Sequence, residues 1–488
     1  MKKGDIGESI IAQVDFPDKG VLTWEGERVL IKKTIPGQRV KFMISKKRKG
    51  FLEGRVLEVL DPSPLEDAPL PCCHREVCGG CTYQSVGYAH QLALKERQML
   101  SLLQGAVNHD FIWEGILPSP LRDHYRNKME FSFGDETKGG TLSLGMHKKG
   151  GHFDIVTVHG CKICGEDFTR ILSYTLDFFK ARNTPYFHKQ RHEGWLRHLL
   201  LRRSIKTGEI LAGLVTTSSF GSISDPNEVN GPGRLGAEER ALLLQWKEGL
   251  ETLALEGKIS GILHILNDSY GDAVIDQGTE ILSGQDYIYE ELSGLHFKIT
   301  PFSFFQTNSL GAQVLYAKAG EYIGETKDKN VFDLYSGTGT IAQILAPYAK
   351  KVVGVEIVPE AVEAARENAA ANGLSNCEFI AGDVLKVVEG LETSPDLIVL
   401  DPPREGVHPK ALPKIIAFGA EKIIYISCKP SSFAEEVKVL EAGGYVLERA
   451  AAVDMFPQTV NVELVVLLSK LSEAKSHISV KQESIKNP

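Results

Sequence analysis

Short apolar runs bounded by Gly, Pro, Asn and Asp set the pattern at both ends of the chain. Between residues 5 and 60, Ser9–Val14, Val21–Trp24, Arg28–Lys32, Val40–Ile44 and Gly54–Val59 alternate with turn residues. Five short strands at such close spacing predict a small barrel of the OB type. Lys46-Lys47-Arg48-Lys49 reads as a hairpin-like loop able to grip phosphates, and Asp61-Pro62-Ser63-Pro64, with Pro69 and Pro71 soon after, reads as a linker. From about 85 to 295 strands and helices alternate without a repeat, and residues 222–239, rich in Gly, Asn, Asp and Pro, predict an exposed loop. From about 300 the pattern becomes regularly β-α-β. Val331–Leu334, Val352–Glu356, Glu378–Ile380, Leu397–Leu400 and Ile423–Ile426 are short apolar runs of the kind that forms a buried parallel sheet. Pro359 opens a helix over Glu360–Ala371 that Gly373 ends, and Leu464–Leu468 is a last apolar strand. These shifts divide the chain at 1–60, 61–295 and 296–470, with a polar, unpatterned tail over 471–488 that predicts disorder.

Chemistry gathers where those strands end. Ligands of open α/β sheets sit beyond the carboxyl ends of the strands. Asp401-Pro402-Pro403-Arg404 follows one strand and Cys428-Lys429-Pro430 the next, so a carboxylate and a thiol are expected at one crevice. Cys428 is the candidate nucleophile. Val331–Thr340 carries an apolar strand into a Gly337-Thr338-Gly339 turn, where a ligand can press against the backbone as a helix begins. Glu356 ends the next strand 23 residues after Asp333, a placement suited to ribose hydroxyls. Asp383 and Asp401 end two further strands. This row of acids fits an adenosine ligand. The turn has neither the G-x-G-x-x-G of dinucleotide sites nor the Gly-Lys-Ser/Thr of phosphate loops, which points to S-adenosylmethionine. Glu463, opening the last strand, is either a solvated acid or part of the chemistry.

Composition changes the picture in three ways. With 488 residues, 42% hydrophobic and 24% charged, the chain is ordinary globular material of two to four domains. No apolar run approaches the roughly 18 residues of a membrane span, and Met1-Lys2-Lys3-Gly4-Asp5 opens without a long apolar h-region, so a cytoplasmic protein without a signal peptide is expected. The net charge is −8, yet residues 1–60 hold 13 Lys or Arg against 8 Asp or Glu. A basic module on an acidic body suits nucleic acid, although a solvated charged face has the same composition. Eight cysteines, clustered at 72, 73, 78, 81, 161 and 164 with two more at 377 and 428, suggest metal or catalysis rather than disulfides. Cys72, Cys78 and Cys81 make a C-x5-C-x2-C spacing, and Cys161 or Cys164 would supply a fourth thiolate. Spacing alone leaves Zn²⁺ and an iron–sulfur cluster open, with zinc slightly ahead. His124-Tyr125-Arg126-Asn127-Lys128 followed by Phe131-Ser132-Phe133 mixes cations and aromatics, as an RNA surface or a half-buried strand would.

Taken together, Phe305-Gln306-Thr307-Asn308, Asp333–Thr340, Asp401–Arg404, Ser427-Cys428-Lys429-Pro430 and Asp454–Glu463 resemble the class I RNA (uracil-5-)-methyltransferases, over nearly the whole chain to about residue 470. The resemblance implies an α/β fold: a Rossmann-like methyltransferase domain, an N-terminal TRAM barrel and a central α+β domain with a [4Fe–4S] cluster. It turns the metal reading from zinc to iron–sulfur, held by Cys72, Cys78, Cys81 and Cys161. It implies that Cys428 adds to uracil C6, that Glu463 is the general base, and that Gln306, Tyr335, Glu356, Asp383 and Asp401 hold S-adenosylmethionine. Arg126 would help grip RNA. The implied partner is RNA, ribosomal rather than transfer RNA because transfer-RNA members generally lack the barrel and cluster domains, with no obligate protein partner. Two residues depart from the family: Lys429 stands where Asn commonly follows the cysteine, a cation that favours thiolate, and Asn461 stands where His commonly precedes the final Glu by two. An RNA-binding or folding factor without catalysis is the alternative that Asn461 suggests.

Overall fold

The computed structural model describes residues 1–69, 72–151, 153–221, 235–387, 390 and 394–471. The chain forms two compact units: Met1–Asp67 with Gly87–Pro120 and Gly311–Pro488, and Ala68–Val86 with Leu121–Leu310.

The first unit begins with a six-stranded, barrel-like sheet around Ile11, Leu22, Val29, Val40, Phe42 and Ile44. The expected strand Ser9–Val14 is two strands, Ile6–Ile10 and Gln13–Asp15. The break falls where Ile11 bonds through its N–H to the Gln38 carbonyl while Ala12 N–H turns to Val21. Lys46, Lys47 and Arg48 lie on the strand Arg39–Arg48 rather than in a loop, and only Lys49-Gly50 makes the turn into Phe51–Asp61. The expected linker is tethered: Ser63 is buried, and its hydroxyl donates to the Pro36 carbonyl at 2.5 Å.

The same unit holds an eight-stranded sheet in the order Cys377–Ala381, Ala349–Glu356, Thr326–Leu334, Leu397–Leu400, Lys422–Ser427, Glu463–Lys470, Tyr445–Val453, Ile112–Leu117. The first five strands are mutually parallel, as their unbroken apolar runs lead one to expect. Phe332, Val355, Ile398 and Ile423 from these strands share one core with Leu464, Val466 and Leu468 from the last strand. Glu463–Lys470 runs antiparallel to both of its neighbours. Chain order reverses between Thr326–Leu334 and Leu397–Leu400, the crevice position of such sheets. The helix Pro359–Ala371 has Pro at its start and Gly373 at φ +68° just past its end, which satisfies the usual N- and C-terminal preferences.

The second unit is α+β, with a seven-stranded sheet over the helices Glu166–Lys180 and Ala237–Leu250. Most of the loop expected at 222–239 lies outside the described residues, and its last three positions already belong to the helix that starts at Ala237. The tail expected over 471–488 lies outside the described residues beyond Leu471. Among the described residues no helix is long and apolar enough to cross a membrane.

Candidate active site

Three strand ends converge on one edge of the large sheet. Leu400 pairs with Tyr425 in the parallel ladder, so Asp401 and Cys428 leave the sheet on the same side. The antiparallel strand pairs Leu464 with Ser427 and Glu463 with Val453. A strand running the other way offers its first residue, not its last, to this edge, and Glu463 is thereby brought next to Cys428.

The electrostatics follow from that convergence. Glu463 is 3% exposed, and burial, then the charge of Asp401, holds its carboxyl well above the usual range, with Arg404 opposing. Burial pushes the Asp401 carboxyl up to about 7. The Cys428 thiol is pushed up to about 11, by burial first and then by Glu463 and Asp401, while Arg404 pulls it down. The cation that favours the thiolate is therefore Arg404 of the Asp-Pro-Pro-Arg loop, whereas Lys429 is exposed. Asn461 is exposed as well, and its main-chain N–H donates to Thr459 Oγ1.

Beside this group the Thr326–Leu334 strand runs into the glycine turn. Tyr335 and Gly339 both lie at φ +72°. A Cβ at Gly339 would meet Phe379 Cε1 at 2.5 Å and Ala365 Cβ at 2.9 Å, so only glycine fits. Gly337 N–H donates to Glu356 Oε2 and Val358 N–H to Glu356 Oε1, each at 3.0 Å. The Tyr335 phenol is pushed up to about 12 by burial, and Asp383 accepts the Leu385 N–H at 2.9 Å. Asp333, absent from the candidates drawn from sequence, is fully buried. Its Oδ2 accepts the Ala342 N–H at 2.9 Å, while its Oδ1 and the nearby Ser336 Oγ have no partner. Burial, then Asp401, pushes its carboxyl up to about 7. The signal available was its position, an acid ending the first strand ahead of a glycine turn. Unpartnered buried acceptors, a glycine-lined turn and carboxyls that ionise near neutrality fit a cationic adenosine donor.

The second unit carries the remaining candidates. Gln306 is half-buried, and its carbonyl accepts Asn127 Nδ2 at 3.1 Å. Asn127 also donates through Nδ2 to Ser309 Oγ at 2.7 Å, and Ser309 Oγ donates to the buried Glu290 at 2.7 Å, so the Gln306 segment is pinned. The Cys72–Cys81 turns pack on the Val158–Cys164 loop, with Gly160 N–H donating to His74 Nε2 at 3.0 Å and Gly79 N–H to the His147 carbonyl at 2.9 Å. Burial pushes the Cys81 thiol up to about 12, and Cys161, Cys78 and Cys72 all add to the effect. Cys164 is wholly buried among the apolar core, and its hydrogen bond to Cys161 is the largest cause of a Cys161 thiol lowered to about 7. Among the described residues no group of three or more His, Cys, Asp or Glu is placed to hold a metal ion. The donor chemistry suits a soft cluster, but the side chains as they stand do not form a metal-holding group. Of the two readings of the 124–133 stretch, the half-buried strand is the one observed: Phe131 and Phe133 are buried because alternate residues of Lys128–Asp135 face the helices, and Tyr125 ahead of the strand is buried too.

The comparisons agree with this geometry. The family described as tRNA (Uracil-5-)-methyltransferase matches residues 272–471. An RNA methyltransferase of Clostridium tetani is 45% identical over 471 residues, covering 96% of this chain and 99% of the relative. One from Oceanobacillus iheyensis is 33% identical over 479 residues, covering 97% and 98%. The crystal structure of the Pyrococcus abyssi tRNA (uracil-54, C5)-methyltransferase in complex with S-adenosyl-L-homocysteine aligns with TM-score 0.70 at 25% identity, over 95% of this chain and 100% of that one. The chain belongs to the RNA (uracil-5-)-methyltransferase family and is an S-adenosylmethionine-dependent RNA methyltransferase.

Proposed function

We propose that this cytoplasmic enzyme methylates C5 of a uridine in 23S ribosomal RNA through a covalent Cys428–uracil adduct. The observation that carries the reading is the Ser427–Leu464 ladder pair, which sets an acid beside a thiol at a sheet edge. Uracil C5 is a weak nucleophile, so Cys428 first loses its thiol proton to solvent and adds as the thiolate to C6, forming a C–S bond and an enolate. Bound S-adenosylmethionine would supply an electrophilic sulfonium methyl group, which C5 takes up as the methyl–sulfur bond breaks and S-adenosylhomocysteine is left. Glu463 then removes the C5 proton, the C5–C6 double bond re-forms, and the C6–S bond breaks. A carboxylate whose basicity is raised by burial suits that last step. Asp401, Glu356, Asp383, Tyr335 and Gln306 are the residues proposed to hold the donor. The target base leaves its stack at a cost of a few kcal/mol, which the TRAM-like barrel and Arg126 would offset through contacts to the RNA. A [4Fe–4S] cluster on Cys72, Cys78, Cys81 and Cys161 is part of the proposal, resting on the soft donor chemistry of the four thiols and on the family resemblance, not on a metal-holding arrangement of the side chains. Iron and sulfide content of anaerobically purified protein tests it.

Cys428→Ala is expected to abolish methyl transfer and Glu463→Gln to accumulate a covalent RNA–protein adduct on a denaturing gel. A fully active Cys428→Ala variant would sink the mechanism. Label from the methyl donor, recovered as 5-methyluridine in large-subunit rather than transfer RNA, tests the substrate. Transfer RNA is the second reading, and one observation favours it. The Pyrococcus abyssi tRNA enzyme aligns over 95% of this chain, so barrel and central domain do not by themselves select ribosomal RNA.

A further inference from the structure

We infer that Gln91 and Lys95 are positioning residues for Glu463, acting through the loop 454–462 that delivers it; the inference rests on reading Glu463 as the general base. Gln91, Lys95 and Met99 recur every fourth residue on the helix Tyr88–Gln104, and all three are buried, so they share one inward face. Each meets the chain between the last two strands. Lys95 and Asp454 are both 0% exposed and pair at 2.6 Å, and Lys95 Nζ also donates to the Phe456 carbonyl at 3.1 Å. Gln91 donates through Nε2 to Gln458 Oε1, and its Oε1 accepts the Gln458 N–H, both at 2.9 Å. Gln458 lies at φ +68°, a conformation that a side-chain-bearing residue keeps only when its surroundings hold it. Met99 packs with Ala452 and Val462, the residues just before Val453 and Glu463, themselves a ladder pair.

The loop is thus fixed at its start, its middle and its end by one helix face. Hydrophobic packing alone would hold the strands but leave the approach of Glu463 free to wander. A buried ion pair and a reciprocal amide pair specify one arrangement. Misplacing a catalytic group by about 1 Å costs roughly 100-fold in rate.

The test compares Gln91→Leu, the paired Lys95→Met with Asp454→Asn, and Glu463→Gln on full-length enzyme with RNA and S-adenosylmethionine. Removing Lys95 together with the Asp454 charge avoids an isolated buried charge, and Gln91→Leu disturbs no ion pair. The expected result is kcat lowered roughly 10- to 100-fold with KM for RNA unchanged, and accumulation of the same covalent adduct that Glu463→Gln forms. Partial unfolding would lower adduct formation and resolution together, so adduct accumulation separates positioning from stability. Unchanged kcat, or lowered kcat without adduct while Glu463→Gln accumulates it, overturns the inference alone. Absence of adduct in Glu463→Gln itself overturns the reading of Glu463, and the inference falls with it.

Discussion

Burial first, and then the charges of two acids and one guanidinium, set the ionisation of Cys428. The thiol is pushed up to about 11, so at neutral pH it is protonated in the free protein. Alkylation of Cys428 by a small electrophile should therefore accelerate about tenfold per pH unit up to that value, since the thiolate fraction rises in that proportion. Arg404→Gln removes the charge that lowers the thiol pKa and should slow alkylation; Asp401→Asn removes one that raises it and should speed alkylation. Equal rates in both variants would show that burial alone governs the thiol. The two departures from the family pattern carry less at this scale than they promised in sequence. Lys429 and Asn461 are both exposed, and the charges acting on Glu463 come from Asp401 and Arg404. Asp401 and Cys428 were legible because each directly follows an unmistakable apolar strand. Asp333 was half-legible, and Arg404 was quoted in its motif without its electrostatic role, because a cation at a loop is ordinarily solvated.

At the scale of elements, the legible parts are those where burial leaves a continuous run. The parallel strands came within a few residues of their observed ends because both faces are covered, and Pro359 and Gly373 bracket their helix. What stayed hidden depends on contacts far apart in sequence. The inward face of Tyr88–Gln104 carries Gln91, Lys95 and Gln98, which on any helical projection read as the solvated side. The barrel's first strand breaks only because Ile11 and Ala12 choose different partners. The glycine turn supports a sharper expectation. Gly339→Ala places a methyl group against Phe379 and Ala365 in a left-handed backbone conformation. It should cost about 1–3 kcal/mol of stability and weaken donor binding more than RNA binding. Thermal unfolding and titration calorimetry with S-adenosylmethionine check the two parts, and a variant with wild-type values for both would show that the helix can shift to make room.

For the whole molecule, the charge asymmetry has a measurable sign. The cations Lys46, Lys47 and Lys49 are exposed at the tip of the longest barrel hairpin, while Arg48 is paired with Glu53 at 2.8 Å. Replacing the three lysines by Ala should weaken RNA binding across sequences and flatten the slope of log K against log salt. The expected change is about 0.7 per lost contact to single-stranded phosphate, read by binding isotherms at several ionic strengths. An unchanged slope would place the RNA elsewhere. The strand Glu463–Lys470 is the last in chain order among the described strands, yet it lies inside the sheet between two earlier ones. During synthesis on the ribosome the strands Lys422–Ser427 and Tyr445–Val453 are therefore complete while the gap between them is still open. On the proposed mechanism, a chain lacking that strand would carry its nucleophile without its base: chemistry that can seize an RNA but has no means of letting it go.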